Sequence, residues 1–217
     1  AKLEAFAKAV GRPFSAFVLP HPPSAPFPSV RFRSTNAANR RPLNPEERRR
    51  IREAGRLQEI LVWLNRELQL PAPVFPSFST RDDPERAAAA IRVRLNLPLE
   101  RQFSWSSSSE ALSAWREAAE AAGVTVLMLP MGEEACRGFS IGSDVAPLAA
   151  VNTAWLPEAR LFTLIHELAH LSTGTNSACA EDPVARAGTG DRTERWCDRV
   201  AAAVLMPTEG FARVLDE

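Results

Sequence analysis

The stretch Thr163-Leu164-Ile165-His166-Glu167-Leu168-Ala169-His170-Leu171 sets a His-Glu-x-x-His sequence among apolar residues. Two histidines four apart on an α-helix differ by about 40° around its axis, so their imidazoles converge on one metal ion. Glu167 lies about 100° round from His166 and reaches a water on that metal without being a ligand itself. This division of labour is the one a zinc hydrolase needs.

The helix is readable without the motif. Leu161, Leu164, Ile165, Leu168 and Leu171 recur at spacings of three and four, which predicts a buried stripe beside the polar one. Pro157 before the segment and Gly174 after it supply start and stop signals. A catalytic zinc ordinarily takes three protein ligands and leaves one position open. The chain has 3 histidines, and His21 sits far away in Leu-Pro-His-Pro-Pro, so the third ligand is expected to be a carboxylate or a thiolate.

Downstream, Thr193-Glu194-Arg195-Trp196-Cys197-Asp198 opens a second helical pattern that runs through Val200, Ala201, Val204 and Leu205 to Met206-Pro207. Glu194 and Asp198 are four apart and share a face. Glu194 is read as the third ligand, and Asp198 as the acceptor that orients a ligating imidazole, that of His166. A lone His or Glu on a helix is usually structural, and Glu194 alone reads as a solvated charge at a helix start. The joint pattern outweighs that reading, because two of the 3 histidines fall in one motif and the next helix carries a correctly spaced acidic pair.

Composition bounds the remaining possibilities. At 217 residues, 45% hydrophobic and 24% charged, the chain has the make-up of a globular protein with a proper core. No apolar run approaches membrane-spanning length and no signal peptide is visible, so a cytoplasmic protein without a membrane partner is expected. Lys+Arg and Asp+Glu stand at 26 each, which leaves no overall electrostatic footprint for nucleic acid. A local excess at Arg31, Arg33, Arg40, Arg41, Arg48, Arg49, Arg50 and Arg52 reads first as a solvated face and second as a contact surface. Cys136, Cys179 and Cys197 are odd in number and widely spaced, which argues against a disulfide framework.

In chain order, an N-terminal helix over Leu3 to Val10 is followed by a proline-rich linker (Pro20, Pro22, Pro23, Pro26, Pro28) and a short strand at Val30 to Arg33. Asn44-Pro45-Glu46-Glu47 starts a long scaffold helix with an apolar stripe through Ile51, Ala54, Leu57, Ile60, Leu61, Leu64 and Leu68. Further helices are expected at Asp83 to Leu95 and Glu110 to Ala122, then strands at Val124 to Leu129, Arg137 to Ile141 and Leu148 to Asn152. This order predicts an α+β domain with a small sheet packed on helices. Arg137 to Ile141, expected to run beside the metal helix as an edge strand, offers pairing to an extended peptide, so Gly138, Phe139 and Ser140 are the candidate substrate-binding residues. Cys136, just before that strand, is a candidate inhibitory fourth ligand.

Gly138-Phe139-Ser140, Ala150-Val151-Asn152, Arg160 to Leu171, Glu194 to Asp198 and Val204-Leu205-Met206-Pro207 together resemble the ImmA/IrrE family of bacterial metallopeptidases. That family often has Asn at the position of Asp198 and Phe at that of Val200. The resemblance covers about Asp83 to the end and implies a zincin-like metallopeptidase domain, placed here at 80–217. Before it come a scaffold-helix region at 34–79 and, at 1–33, a linker with a segment similar to the last helices of a phage-repressor-type helix-turn-helix domain. Lacking a recognition helix, this chain is not expected to bind DNA. Family members cleave a partner helix-turn-helix repressor to switch on stress-response or antiphage-defence genes, so the resemblance implies Glu167 as catalytic base and His166, His170 and Glu194 as ligands of Zn2+, with Mn2+ also admissible. A second reading is a sensor or antirepressor that holds a metal and binds its partner without cutting it.

Overall fold

The computed structural model describes residues 2–9, 14–20, 31–32, 43–173, 189–208 and 210. Helices are α1 (Lys2–Ala9), α2 (Pro45–Glu67), α3 (Pro84–Leu95), α4 (Leu99–Phe103), α5 (Ser108–Ala121), α6 (Pro157–Ser172) and α7 (Thr189–Leu205). Strands are β1 (Arg31–Phe32), β2 (Thr125–Leu129), β3 (Gly138–Ile141) and β4 (Leu148–Asn152). The expected Gly174 stop and Cys179 lie outside the described residues, as does His21. Among the described residues no helix is long and apolar enough to cross a membrane.

The helix starts follow local chemistry. Asn44 accepts from the Glu47 amide while Glu47 accepts from the Asn44 amide, a reciprocal capping box, with Pro45 in the first helical position. Asp83 caps α3 ahead of Pro84, and Ser107 caps α5. Asn96, with φ of 52°, ends α3 in the left-handed conformation that asparagine tolerates.

The sheet order is β1-β3-β4-β2. β2 runs parallel to β4, with Val126 opposite Ala149 and Met128 opposite Val151. β3 runs antiparallel to β4, with Gly138 opposite Val151 and Ser140 opposite Ala149. Alternation along these strands divides the core. On one face, Val126, Ala149 and Val151 join Ile91, Trp115, Leu164, Ile165, Leu168, Val200 and Val204 in the larger cluster, so α3, α5, α6 and α7 all pack there. On the other face, Phe139, Ile141, Leu148 and Ala150 meet Ile51 and Ala54 of α2 together with Met131 and Ala135. Gln58 of α2 adds Nε2 hydrogen bonds to the carbonyls of Ile141 and Ala146 at 2.9 and 3.0 Å.

Three expectations change. The stripe of α2 is covered only in its first half: Ile60 and Leu68 are 57% and 59% exposed, because α2 extends past the sheet. Leu99–Phe103 forms a short helix that its sequence did not announce. β3 is not a free edge, since β1 pairs antiparallel along its outer side, with Arg31 opposite Ser140 and Phe32 opposite Phe139.

Candidate metal centre

α6 delivers its polar face into the core. Its apolar stripe is fully buried at Leu164, Ile165 and Leu168, which fixes the helix rotationally and turns His166, Glu167 and His170 inward, all of them 3% exposed or less. α7 lies against α6 through Trp196, Cys197, Val200 and Val204 in the same cluster, and this packing sets the height of Glu194 opposite the histidines.

The three side chains meet at atom level. His166 Nε2 and His170 Nε2 are 3.0 Å apart, Glu194 Oε2 is 3.3 Å from His166 Nε2, and Glu194 Oε1 is 3.4 Å from His170 Nε2. Ligand atoms held at zinc's usual bond lengths in a tetrahedral arrangement stand about 3.3 Å from one another. The triangle therefore has about the dimensions of one face of a zinc tetrahedron, and two imidazole nitrogens with one carboxylate oxygen form a donor set suited to that ion. Asp198 Oδ1 stands 3.0 Å from His166 Nδ1, on the side of the ring away from the centre.

The charges are mutually arranged. Burial lowers the tendency of His166 to hold a proton, but its bonds to Asp198 and Glu194 and the negative charge of Glu167 outweigh this and push its pKa up to about 9. Burial works against ionised Glu194 as well, and its bonds to His166 and His170 overcome that to hold the carboxyl at about 2. The two shifts run in the directions that an imidazole and a carboxylate in contact impose on each other. The carboxyl of Glu167 is pushed up by its complete burial, against the opposing pull of His170, His166 and the Ser140 hydroxyl.

Glu167 is close to the sheet. A Cβ on Gly138 would stand 2.5 Å from Thr163 Cγ2, 2.7 Å from the Ala150 carbonyl oxygen and 3.3 Å from Glu167 Oε1. Only a glycine lets β3 come this near to α6, so the strand's backbone passes directly beside the glutamate. Of the substrate-binding candidates, Gly138 and Ser140 face α6, whereas Phe139 is buried against α2 on the opposite face.

Cys136 is placed elsewhere. Among the described residues, His166, His170 and Glu194 form the group whose donor atoms lie within 4.8 Å of one another, and Cys136 is not in it. It packs instead with the cluster of Ile51, Met131 and Phe139. The strand begins only at Gly138, with a bend at Arg137, so its alternation does not extend back to Cys136. Cys197 is fully buried in the larger core.

Two supporting residues escaped the sequence reading. Asn152, buried, donates from Nδ2 to the Gly132 and Cys136 carbonyls at 2.7 and 3.1 Å and accepts at Oδ1 from the Met131 amide at 3.2 Å, clamping the loop that leads into β3. Glu47, 1% exposed, accepts from the Cys136 amide at 2.7 Å. An acid in the first turn of a helix carries no local signal that it will be buried.

The family model of the IrrE N-terminal-like domain, peptidase family M78, matches residues 119–217, a span that holds β2, β3, β4, α6 and α7 with every residue of the cluster. No curated protein and no solved structure matches the chain.

Proposed function

We propose, from the match of residues 119–217 to the IrrE N-terminal-like family, that the chain is a zinc-dependent endopeptidase that cuts a partner helix-turn-helix repressor and so releases stress or defence genes from repression. The observation that carries the peptidase reading is the His166–His170–Glu194 triangle with buried Glu167 beside it. The repressor as substrate is supported by the family resemblance of the motifs around that triangle.

In this reading His166 and His170 hold the metal through Nε2 and Glu194 through a carboxylate oxygen. The bound ion supplies Lewis acidity, which lowers the pKa of a water and polarises a peptide carbonyl. Glu167 takes the proton of the attacking water on its carboxylate and passes it to the nitrogen of the departing amine. Asp198 keeps His166 in the tautomer that presents Nε2. The absence of a side chain at Gly138 lets β3 lie beside Glu167, so an extended peptide held on this side of the sheet would lie near that carboxylate. Manganese is compatible with the same three donors.

The test is incubation of the purified chain with the helix-turn-helix repressor encoded beside it, comparing wild type with Glu167→Gln, with zinc added and then chelated. A cut that needs zinc and slows about 10²- to 10⁴-fold in the variant is the expected result. Equal cutting by Glu167→Gln would remove the base from the mechanism. Binding of the repressor by both proteins with no cut by either would establish the antirepressor reading instead.

A further inference from the structure

Gly138 and Ser140 lie two apart on β3, so they share the side of the sheet that faces α6. A Cβ on Gly138 would come within 3.3 Å of Glu167 Oε1, and Ser140 turns its hydroxyl to the same carboxyl. Ser140 and Glu167 are both 0% exposed. Ser140 Oγ and the two oxygens of Glu167 are all covered from water, and none of the three makes a formed hydrogen bond in this structure. A donor and an acceptor are thus enclosed face to face, each without another bond.

The groups around them do not take either role. Thr163, one turn before Glu167 on α6, donates its hydroxyl to the Ala159 carbonyl at 2.8 Å. His166 and His170 act on Glu167 through their charge, and Glu194 through repulsion. The strand itself gives no reason for a hydroxyl: Ser140 stands opposite Ala149, on a face continued by Val126 and Val151. A serine enclosed there costs free energy unless its hydroxyl is bonded. The last side-chain torsion of a glutamate is broad, so packing alone fixes the plane of a carboxylate poorly. A bond to one oxygen fixes it.

We propose that Ser140 Oγ donates to one oxygen of Glu167 and is the positioning residue of the base, leaving the second oxygen to receive the proton of the attacking water. The inference rests on the peptidase reading for its consequence and on the shared enclosure of the two side chains for its substance. Ser140 belongs, on this account, to the base and not to the binding of substrate. Its loss should therefore slow the proton transfer, in which a misplacement of about 1 Å costs on the order of 10²-fold in rate, without weakening the hold on substrate or metal.

The test has one arm that needs no activity. Thermal unfolding of the zinc-loaded protein is compared for wild type, Ser140→Ala, Glu167→Ala and the double variant. Ser140→Ala should lower Tm by about 3–10 °C when Glu167 is present and by about 1 °C or less when it is absent. The second arm follows cleavage of the helix-turn-helix repressor encoded beside the chain, well below every unfolding transition. Ser140→Ala should lower kcat about tenfold with KM within about twofold of wild type, and zinc affinity, read by competition with a chelator, should be unchanged. Ser140→Cys, which keeps a weak donor, should fall between the two. Val126→Ala, a cavity on the same face away from Glu167, should keep the wild-type kcat. An equal Tm shift in both backgrounds would overturn the proposal. So would an unchanged kcat, or a raised KM at unchanged kcat, which would make Ser140 a substrate contact instead. A Tm shift that depends on Glu167, with no Glu167-dependent cleavage by wild type, would uphold the bond and sink the peptidase reading alone.

Discussion

Replacement of Gly138 by alanine tests how closely the sheet must approach the metal helix. The new Cβ would lie 2.5 Å from Thr163 Cγ2 and 2.7 Å from the Ala150 carbonyl oxygen, against an optimum of about 3.5–4.0 Å for carbon atoms. Neither neighbour yields easily: Thr163 is 1% exposed inside α6, and the oxygen belongs to the backbone of the central strand. Overpacking of this kind costs about 1–3 kcal/mol, and with two rigid neighbours the upper end, about 3 kcal/mol, is expected. For a chain of this size that is a fall in Tm of about 6–12 °C. The assay is thermal unfolding of the chelated protein, with Gly132→Ala as comparator. Gly132 has φ of 86° but nothing near its Cβ position, so its cost should be backbone strain alone, about 1 kcal/mol. Thr163→Ser in the Gly138→Ala background removes one clashing methyl and should recover part of the loss. A Gly138→Ala protein within about 0.5 kcal/mol of wild type, or one less affected than Gly132→Ala, would refute the close-approach argument.

Three further outcomes follow from the centre. Asp198→Ala should weaken zinc binding by about 10- to 100-fold, measured by competition with a chelator of known affinity, and an unchanged affinity would remove Asp198 from its orienting role. Cys136→Ser should leave zinc content and proteolysis at wild-type levels, since the thiol lies outside the ligand group; an altered zinc content would return it to the site. In chelated protein, His166 sits at about 9 and Glu194 at about 2. A raised histidine stabilises fully below its unfolded value and loses that contribution as pH rises through about 9, while a depressed carboxyl stabilises above its unfolded value and loses it as pH falls through about 2. Chelated protein should thus unfold at lower urea at about pH 9.5 than at about pH 5.5, and zinc binding near neutral pH should release about one proton, read by calorimetry in buffers of different ionisation enthalpy. A buffer-independent heat would count against the protonated imidazole.

The metal helix was legible because two signals of one period coincide: Leu164, Ile165 and Leu168 state which side is buried, and His166 and His170 fall where that helix meets α7. The four-residue spacing of Glu194 and Asp198 carried their common face for the same reason. Long-range pairing had no such signature. Nothing in Arg31-Phe32 specifies that it will meet Phe139 and Ser140, more than a hundred positions away, and so β3 read as a free edge. Periodicity also reports that a face is apolar without reporting whether anything covers it, which is why the apolar stripe continues through Ile60 and Leu68, where the side chains are exposed. Glu47 and Asn152 looked like an ordinary cap acid and a strand-end polar residue, because their partners are loop amides and carbonyls that only the folded chain assembles. The basic run is partly answered by its own helix, where Arg49 and Arg50 pair with Glu46 and Glu53.

Glu47 holds two structures with one carboxylate. Oε2 receives the Asn44 amide that closes the start of α2, and Oε1 receives the Cys136 amide two residues before β3. The first turn of α2 cannot fray without releasing the approach to β3, and that approach cannot shift without uncapping α2. The helix start and the strand entry should therefore open together, as a single exchange unit of shared free energy, when the native protein breathes. A residue remote from the histidines would then set how often the strand beside Glu167 is out of place.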